Sequence, residues 1–124
     1  MKILVTGANG YIGMRLLPYL INAGHQVYCT VRDPERLSVT PQLREKLHLI
    51  TLDFLAPPKE NPLPKDIDVA YYLIHSMSSD IGDFSQMEAD CATNFCQLIE
   101  DTNAQQIIYL SGIVNDSQLS KHLA

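Results

Sequence analysis

Residues 4–16 read LVTGANGYIGMRL, with glycine at positions 7, 10 and 13. Before the glycines, Lys2 to Thr6 form an apolar, β-branched run without alternation, the pattern of a strand buried on both faces. After them, Ile12, Leu16, Leu17, Leu20 and Ile21 recur at helical spacing, and Gly24 is placed to end the helix. The chain therefore passes from strand to helix across three residues that have no side chain. Pro18 falls inside the helix, removes one backbone donor and predicts a bend there.

Working outward, QVYCTV (26–31), LHLITL (47–52), IDVAYYLI (67–74) and QIIYL (106–110) read as four further strands. Between the second and third, DPERL and TPQLREKL predict short helical or turn segments. Between the third and fourth, FLAPPKENPLPKDID carries four of the seven prolines, which excludes a long crossover helix and predicts an irregular surface loop. A long helix precedes the fifth strand, opened by Asp83 and Gln86 as a capping pair, with an apolar face of Phe84, Met87, Cys91, Phe95 and Leu98. Strands alternating with such connections imply right-handed crossovers and a parallel sheet. The expected fold is α/β, a doubly wound, three-layer sheet of about five strands in the order 3-2-1-4-5.

With 124 residues, the chain reads as one domain spanning 1–124. Its hydrophobic content of 46% and charged content of 19% are those of a globular protein rather than a disordered one. A net charge of -5, with nine basic residues scattered along the chain, argues against nucleic acid as a partner. The opening MKILVTG is too short an apolar run for a signal segment or a membrane span. Three cysteines, Cys29, Cys91 and Cys96, form no CxxC and suggest no disulfide framework, so a cytoplasmic, reducing location is expected. Cys91 and Cys96 lie about 140° apart around their helix, which prevents a shared metal or a bridge, and buried, inert thiols are the expectation. His25, His48 and His122 fall far apart in such a fold, and no metal site is expected.

In an open parallel sheet, the ligand crevice lies at the carboxyl ends of the strands, where the strand order reverses. The first strand ends there, at Thr6. Glycine at 7 permits a tight turn, glycine at 10 lets the backbone approach a diphosphate, and glycine at 13 lets the helix pack closely. The helix N-terminus adds unpaired N–H groups and the positive end of a dipole. The strand, the amphipathic helix and the next strand make a unit of about thirty residues, the context that dinucleotide binding requires. The second strand ends Val31-Arg32-Asp33. An arginine there attracts the 2'-phosphate of NADP, whereas an acid accepts the ribose hydroxyls of NAD. Arg32 favours NADP and Asp33 keeps NAD open. The loop after the fourth strand, with His75 and Ser76, should face the middle of the cofactor. There His75 either borders the ribose, acts in acid/base chemistry or is a plain loop histidine.

TGANGYIG is similar to the TGxxGxxG fingerprint of the extended and atypical short-chain dehydrogenase/reductase superfamily. Together with TVRDPERL, DVAYYLIHSM and IIYLSG, it resembles the NmrA-like, NAD(P)H-binding group, over nearly the whole chain. The resemblance implies a Rossmann-type fold in which Gly7, Asn9, Gly10, Tyr11, Ile12 and Gly13 line the diphosphate and adenosine ribose. It places Asp53 against the adenine amino group, although a turn-forming aspartate is the alternative. Reductases of the superfamily pair a tyrosine with a lysine four positions later, the lysine lowering the tyrosine pKa for proton transfer. None of the six tyrosines here, Tyr11, Tyr19, Tyr28, Tyr71, Tyr72 and Tyr109, has lysine at that position. Ser111 stands where the family's catalytic serine or threonine would be, or else only closes a turn.

Such relatives run to more than twice this length, so the chain reads as a truncated cofactor-binding half, and the fifth strand as an edge covered by a dimer contact or by the missing segment. Two functions follow. The parent is either an NAD(P)-dependent reductase or epimerase-like enzyme acting on an unidentified small molecule, or a non-catalytic nucleotide sensor or regulatory module.

Overall fold

A computed structural model of the protein describes residues 1–74 and 84–110. Five parallel strands, β1 (Lys2–Thr6), β2 (Gln26–Val31), β3 (Leu47–Thr51), β4 (Val69–Tyr72) and β5 (Gln106–Tyr109), form one sheet in the order β3-β2-β1-β4-β5. The helices are α1 (Tyr11–Asn22), the single turn α2 (Pro41–Arg44) and α3 (Phe84–Glu100), with a 3-10 turn at Pro34–Arg36. The expected strand order and Rossmann-like architecture are both present.

The sheet carries a core on each face because the central strands alternate their apolar side chains between the two. Ile3, Val5, Val27 and Cys29 join Leu17 and Leu20 of α1 on one side. Leu4, Ala70 and Tyr72 join Cys91, Phe95 and Ile99 of α3 on the other. Ile12, expected in the apolar stripe of α1, is instead 46% exposed. It lies in the first turn, at the carboxyl edge of the sheet. Pro18 is on the exposed face, and α1 continues through it. The helix ends in a full Schellman closure: Gly24 takes φ +89, its N–H donates to the Ile21 carbonyl, and the His25 N–H donates to that of Leu20.

β4 is shorter than its apolar run. Its partner β1 has only five residues and turns away at Gly7, so the paired register runs from Ile3 with Val69 to Thr6 with Tyr72. Single bonds extend the contact at either end, from the Asp68 N–H to the Lys2 carbonyl and from the Leu73 N–H to the Thr6 carbonyl. β3 and β5 likewise each end one residue earlier than their apolar runs.

The proline-rich stretch after β3 contains no helix, as expected, yet it is not simply a surface loop. Phe54, Leu63 and Ile67 are buried against α3. The Asn61 side chain donates to the Leu98 carbonyl (2.7 Å) and accepts from the Leu63 N–H (3.0 Å), while Asn94 donates to the Phe54 carbonyl. Irregular chain thus does the work of a crossover helix by inserting apolar side chains and hydrogen-bonding its polar backbone to α3. On α3, Cys91, Phe95 and Ile99 are buried and Met87 and Leu98 half-buried; Asp83 and the Phe84 side chain lie outside the described residues. Gln86 donates to Asp90 (2.8 Å).

β5 forms one edge of the sheet, with Ile107 46% and Tyr109 62% exposed. Cys29 is buried, and burial pushes its thiol up to about 12. Cys96 departs from expectation: it is exposed, because its rotation around α3 from Cys91 carries it off the packed face.

Two outcomes follow. Leu63→Ala should destabilise the protein by about 2–5 kcal/mol in urea unfolding, as for a buried core leucine; a loss below about 1 kcal/mol would mean that the proline-rich stretch is not packed. A thiol reagent applied to native protein should label Cys96 and leave Cys29 untouched until denaturant is added, and peptide mapping that finds native Cys29 modified would contradict its burial.

Candidate functional site

Three glycines shape the loop between β1 and α1, each for a different reason. Gly7 adopts φ +77, and a Cβ there would lie 2.6 Å from the Leu73 carbonyl oxygen. The β1 and β4 ends therefore approach so closely that a side chain is excluded. At Gly13 a Cβ would meet the Gly7 carbonyl oxygen at 2.3 Å and the Ala8 Cα at 2.9 Å, so the helix lies directly on the loop backbone. Gly10 differs, since a Cβ there has one neighbour within 4 Å, the Gly7 carbonyl oxygen at 3.3 Å. Glycine at position 10 thus relieves one tight contact with the loop's own backbone and leaves the main chain beside it without a covering side chain.

Gly10 is the N-cap of α1, donates its N–H to the Gly7 carbonyl (3.1 Å) and offers no side-chain cap. No acidic residue occupies the first turn of the helix. The first-turn amides of Tyr11, Ile12 and Gly13 have no acceptor within the helix, so the dipole end stays positive and uncompensated by side chains. Thr6 fixes the base of this loop by donating its hydroxyl to the Tyr71 carbonyl (2.9 Å) across to β4.

The loop forms one wall of a cleft of about 230 Å³ at the carboxyl ends of β1, β2, β3 and β4. Of the residues expected at a dinucleotide site, Gly7, Asn9, Gly10, Arg32 and Asp53 line it. Gly13 is buried beneath the loop, and Tyr11 and Ile12 stand exposed at the start of α1. The Arg15 guanidinium lies 3.5 Å over the centre of the Tyr11 ring and donates to the Tyr11 carbonyl (3.2 Å), adding a cation to that end of the helix. His75, Ser76 and Ser111 lie outside the described residues.

Arg32 and Asp33 are treated differently by the fold. Arg32 lines the cleft. Asp33 caps the 3-10 turn: its carboxylate accepts from the Glu35 N–H (3.0 Å) and stands 3.8 Å from the Arg36 guanidinium. Asp53 lines the cleft and closes a turn by accepting from the Leu55 N–H (2.9 Å), the turn-forming role expected as its alternative.

The apolar wall went unread in the sequence. Leu52, Phe54 and Leu73 line the cleft, together with Met87 and Cys91 from one face of α3. Residues immediately after each strand carry a usable signal, since the crevice of such a sheet lies there. Met87 and Cys91 carried none, because a helix face that turns toward a cleft has the same spacing as one that turns toward a core. Tyr72, next to the cleft, is no ready proton donor: burial above all, and then the Cys91 thiol, push its hydroxyl up from the ordinary tyrosine value. Among the described residues no group of histidine, cysteine and acidic side chains could hold a metal ion, and no helix is long and apolar enough to cross a membrane.

Residues 3–116 match the NAD dependent epimerase/dehydratase family. The chain belongs to that family. The extended branch of the short-chain dehydrogenase/reductase resemblance is thus the one the match supports, and the chain corresponds to the NAD(P)-binding Rossmann portion of such proteins. No curated protein sequence matches this epimerase/dehydratase-family chain. Among solved structures it is similar to yeast methylglyoxal/isovaleraldehyde reductase Gre2 complexed with NADPH, at TM-score 0.69 and 19% identity over 90% of this chain and 37% of that one. The oxidoreductase ylbE from Lactococcus lactis gives 0.67 and 22%, over 90% and 48%. A nucleoside-diphosphate-sugar epimerase from Staphylococcus aureus gives 0.67 and 22%, over 90% and 38%. At these identities the likeness is one of fold, and the chain spans less than half the length of these three relatives.

The unlike roles of the glycines predict unlike costs. Gly7→Ala should lose about 2 kcal/mol or more of stability, since positive φ and a backbone clash combine. Gly10→Ala should lose less, about 1 kcal/mol, its φ being ordinary and its one close neighbour, the Gly7 carbonyl oxygen, having to give only slightly. Equal losses in denaturant titrations would contradict these assignments.

Proposed function

We propose that the cleft binds NADP(H), with the diphosphate on the glycine loop and the adenosine end between the carboxyl ends of β2 and β3. One observation carries the preference for the phosphorylated dinucleotide. Arg32 faces the cleft, while the acidic residue that would favour NAD is occupied in capping a turn. The residues fit the group in other respects as well: uncapped first-turn amides and bare backbone at Gly10 suit a diphosphate, and the apolar side chains of Leu52, Phe54 and Met87 suit a flat base. The cleft is smaller than the roughly 300–1,000 Å³ that encloses a whole drug-sized ligand, in keeping with its holding one end of the dinucleotide.

When bound, the nicotinamide would supply hydride transfer. This chain's part is to bind and orient it: Arg32 holds the 2'-phosphate, the α1 N-terminus the diphosphate, and the residues after β4 border the middle of the cofactor. In this reading the parent protein is a reductase or epimerase-like enzyme whose small-molecule substrate is held by residues other than these 124. The absence of lysine four positions after any tyrosine of these 124 residues motivates a second reading, a non-catalytic nucleotide-binding module. Because the chain spans less than half the length of the similar structures, that absence leaves the first reading untested. Turnover of a carbonyl substrate by the whole protein would exclude that second reading.

Calorimetric titration with NADPH and NADH tests the proposal. NADPH should bind at least about tenfold more tightly, and Arg32→Ala should bring the two within about threefold, as expected for loss of a charge-assisted contact to phosphate. Equal affinities before mutation would remove the argument from Arg32.

A further inference from the structure

Arg32 and Asp33 leave the same strand with opposite charges and would act on an adenosine ribose in opposite senses. Which of them governs depends on where the Asp33 carboxylate is held. That carboxylate is half exposed and sits on a three-residue 3-10 turn, an element with few internal bonds. The bonds within the turn run from the Arg36 N–H to the Asp33 carbonyl and from the Leu37 N–H to the Pro34 carbonyl. A further pair comes from outside it: Arg44 of α2 donates Nη2 to the Pro34 carbonyl (3.0 Å) and Nη1 to the Leu37 carbonyl (3.5 Å).

This guanidinium fork bridges the first residue of the turn and the residue that ends it. Its own base is fixed, because α2 starts at Pro41 and is capped by Thr40, whose hydroxyl accepts from the Leu43 N–H (3.2 Å). The Leu37 side chain, 3% exposed, also anchors the same segment by packing in the core, independently of the fork. Loss of the fork would therefore loosen the turn without detaching it.

We infer that Arg44 is a positioning residue for dinucleotide selection: by clamping the Pro34–Leu37 backbone, it keeps the Asp33 carboxylate folded onto the Glu35 N–H and away from the ribose beside Arg32. The inference rests on the reading of the cleft as a dinucleotide site. Arg44 is not among the residues that line the cleft and acts through the turn. With the clamp gone, Asp33 is free to pair with Arg32 or to stand beside the 2'-phosphate, and both weaken NADPH binding; a carboxylate accepting ribose hydroxyls would at the same time favour NADH.

The test is the ratio of NADH to NADPH dissociation constants, measured by calorimetry on Arg44→Met, which retains the apolar stem and removes both donors. The ratio should fall about fivefold, the effect of one nearby like charge screened by water. Arg44→Lys, which restores one donor, should fall between wild type and Arg44→Met, and it carries the test in the same direction if Arg44→Met does not fold. In an Asp33→Asn background, Arg44→Met should leave the ratio of that background unchanged. A ratio unaltered by either Arg44 variant in a protein that still prefers NADPH would overturn the inference alone, as would an equal fall in the Asp33→Asn background. Failure of the unmutated protein to bind either dinucleotide would overturn the reading of the cleft and this inference with it.

Discussion

The contact on which the rest depends is main chain against main chain at the mouth of β1. Gly7 lies so close to the Leu73 carbonyl, and Gly13 so close to the Gly7 carbonyl, that neither position has room for a methyl group. Sheet, loop and helix are joined there without intervening side chains. Two consequences follow from one constraint: α1 starts at the carboxyl edge of the sheet, and its uncapped N-terminus stands beside the cleft that Gly7, Asn9 and Gly10 line. A helix N-terminus without a capping side chain is a defect in a structural helix and an asset in an anion site.

Around that junction the fold separates charge from packing. Both cores are apolar and lie on opposite faces of the same strands, so the rim of the sheet is left to the polar groups. On the rim Arg32 remains available, whereas the carboxylates of Asp33 and Asp53 each spend an oxygen on a neighbouring backbone N–H. Local turn chemistry thereby determines which charges a ligand meets. The chain is the NAD(P)-binding Rossmann portion of an epimerase/dehydratase-family protein, and the turn chemistry sets which charged groups its rim presents.

Much of this was legible in the sequence, for physical reasons. The switch of period across Gly7, Gly10 and Gly13 exposed the strand-loop-helix junction, and the succession of strands and connections implied the sheet order that is observed. Arg32 and Asp53 could be placed because both follow strands, and the site of a parallel sheet lies after its strands. Three features were hidden. The burial of Phe54 and Leu63 was masked by the prolines around them, which signal irregular chain but not its depth. Met87 and Cys91 looked like core. The fate of the Asp33 carboxylate depended on a three-residue turn and on an arginine eleven positions away, and such contacts leave no periodic trace.

The central claim, that bare backbone at the start of α1 holds the diphosphate, is tested most directly by amide NMR of the protein titrated with NADPH. The N–H resonances of Gly10, Tyr11, Ile12 and Gly13 should shift most and saturate together with the cofactor. If those amides stay in place while others move to saturation, the dinucleotide lies elsewhere and the account of the junction as an anion site is wrong.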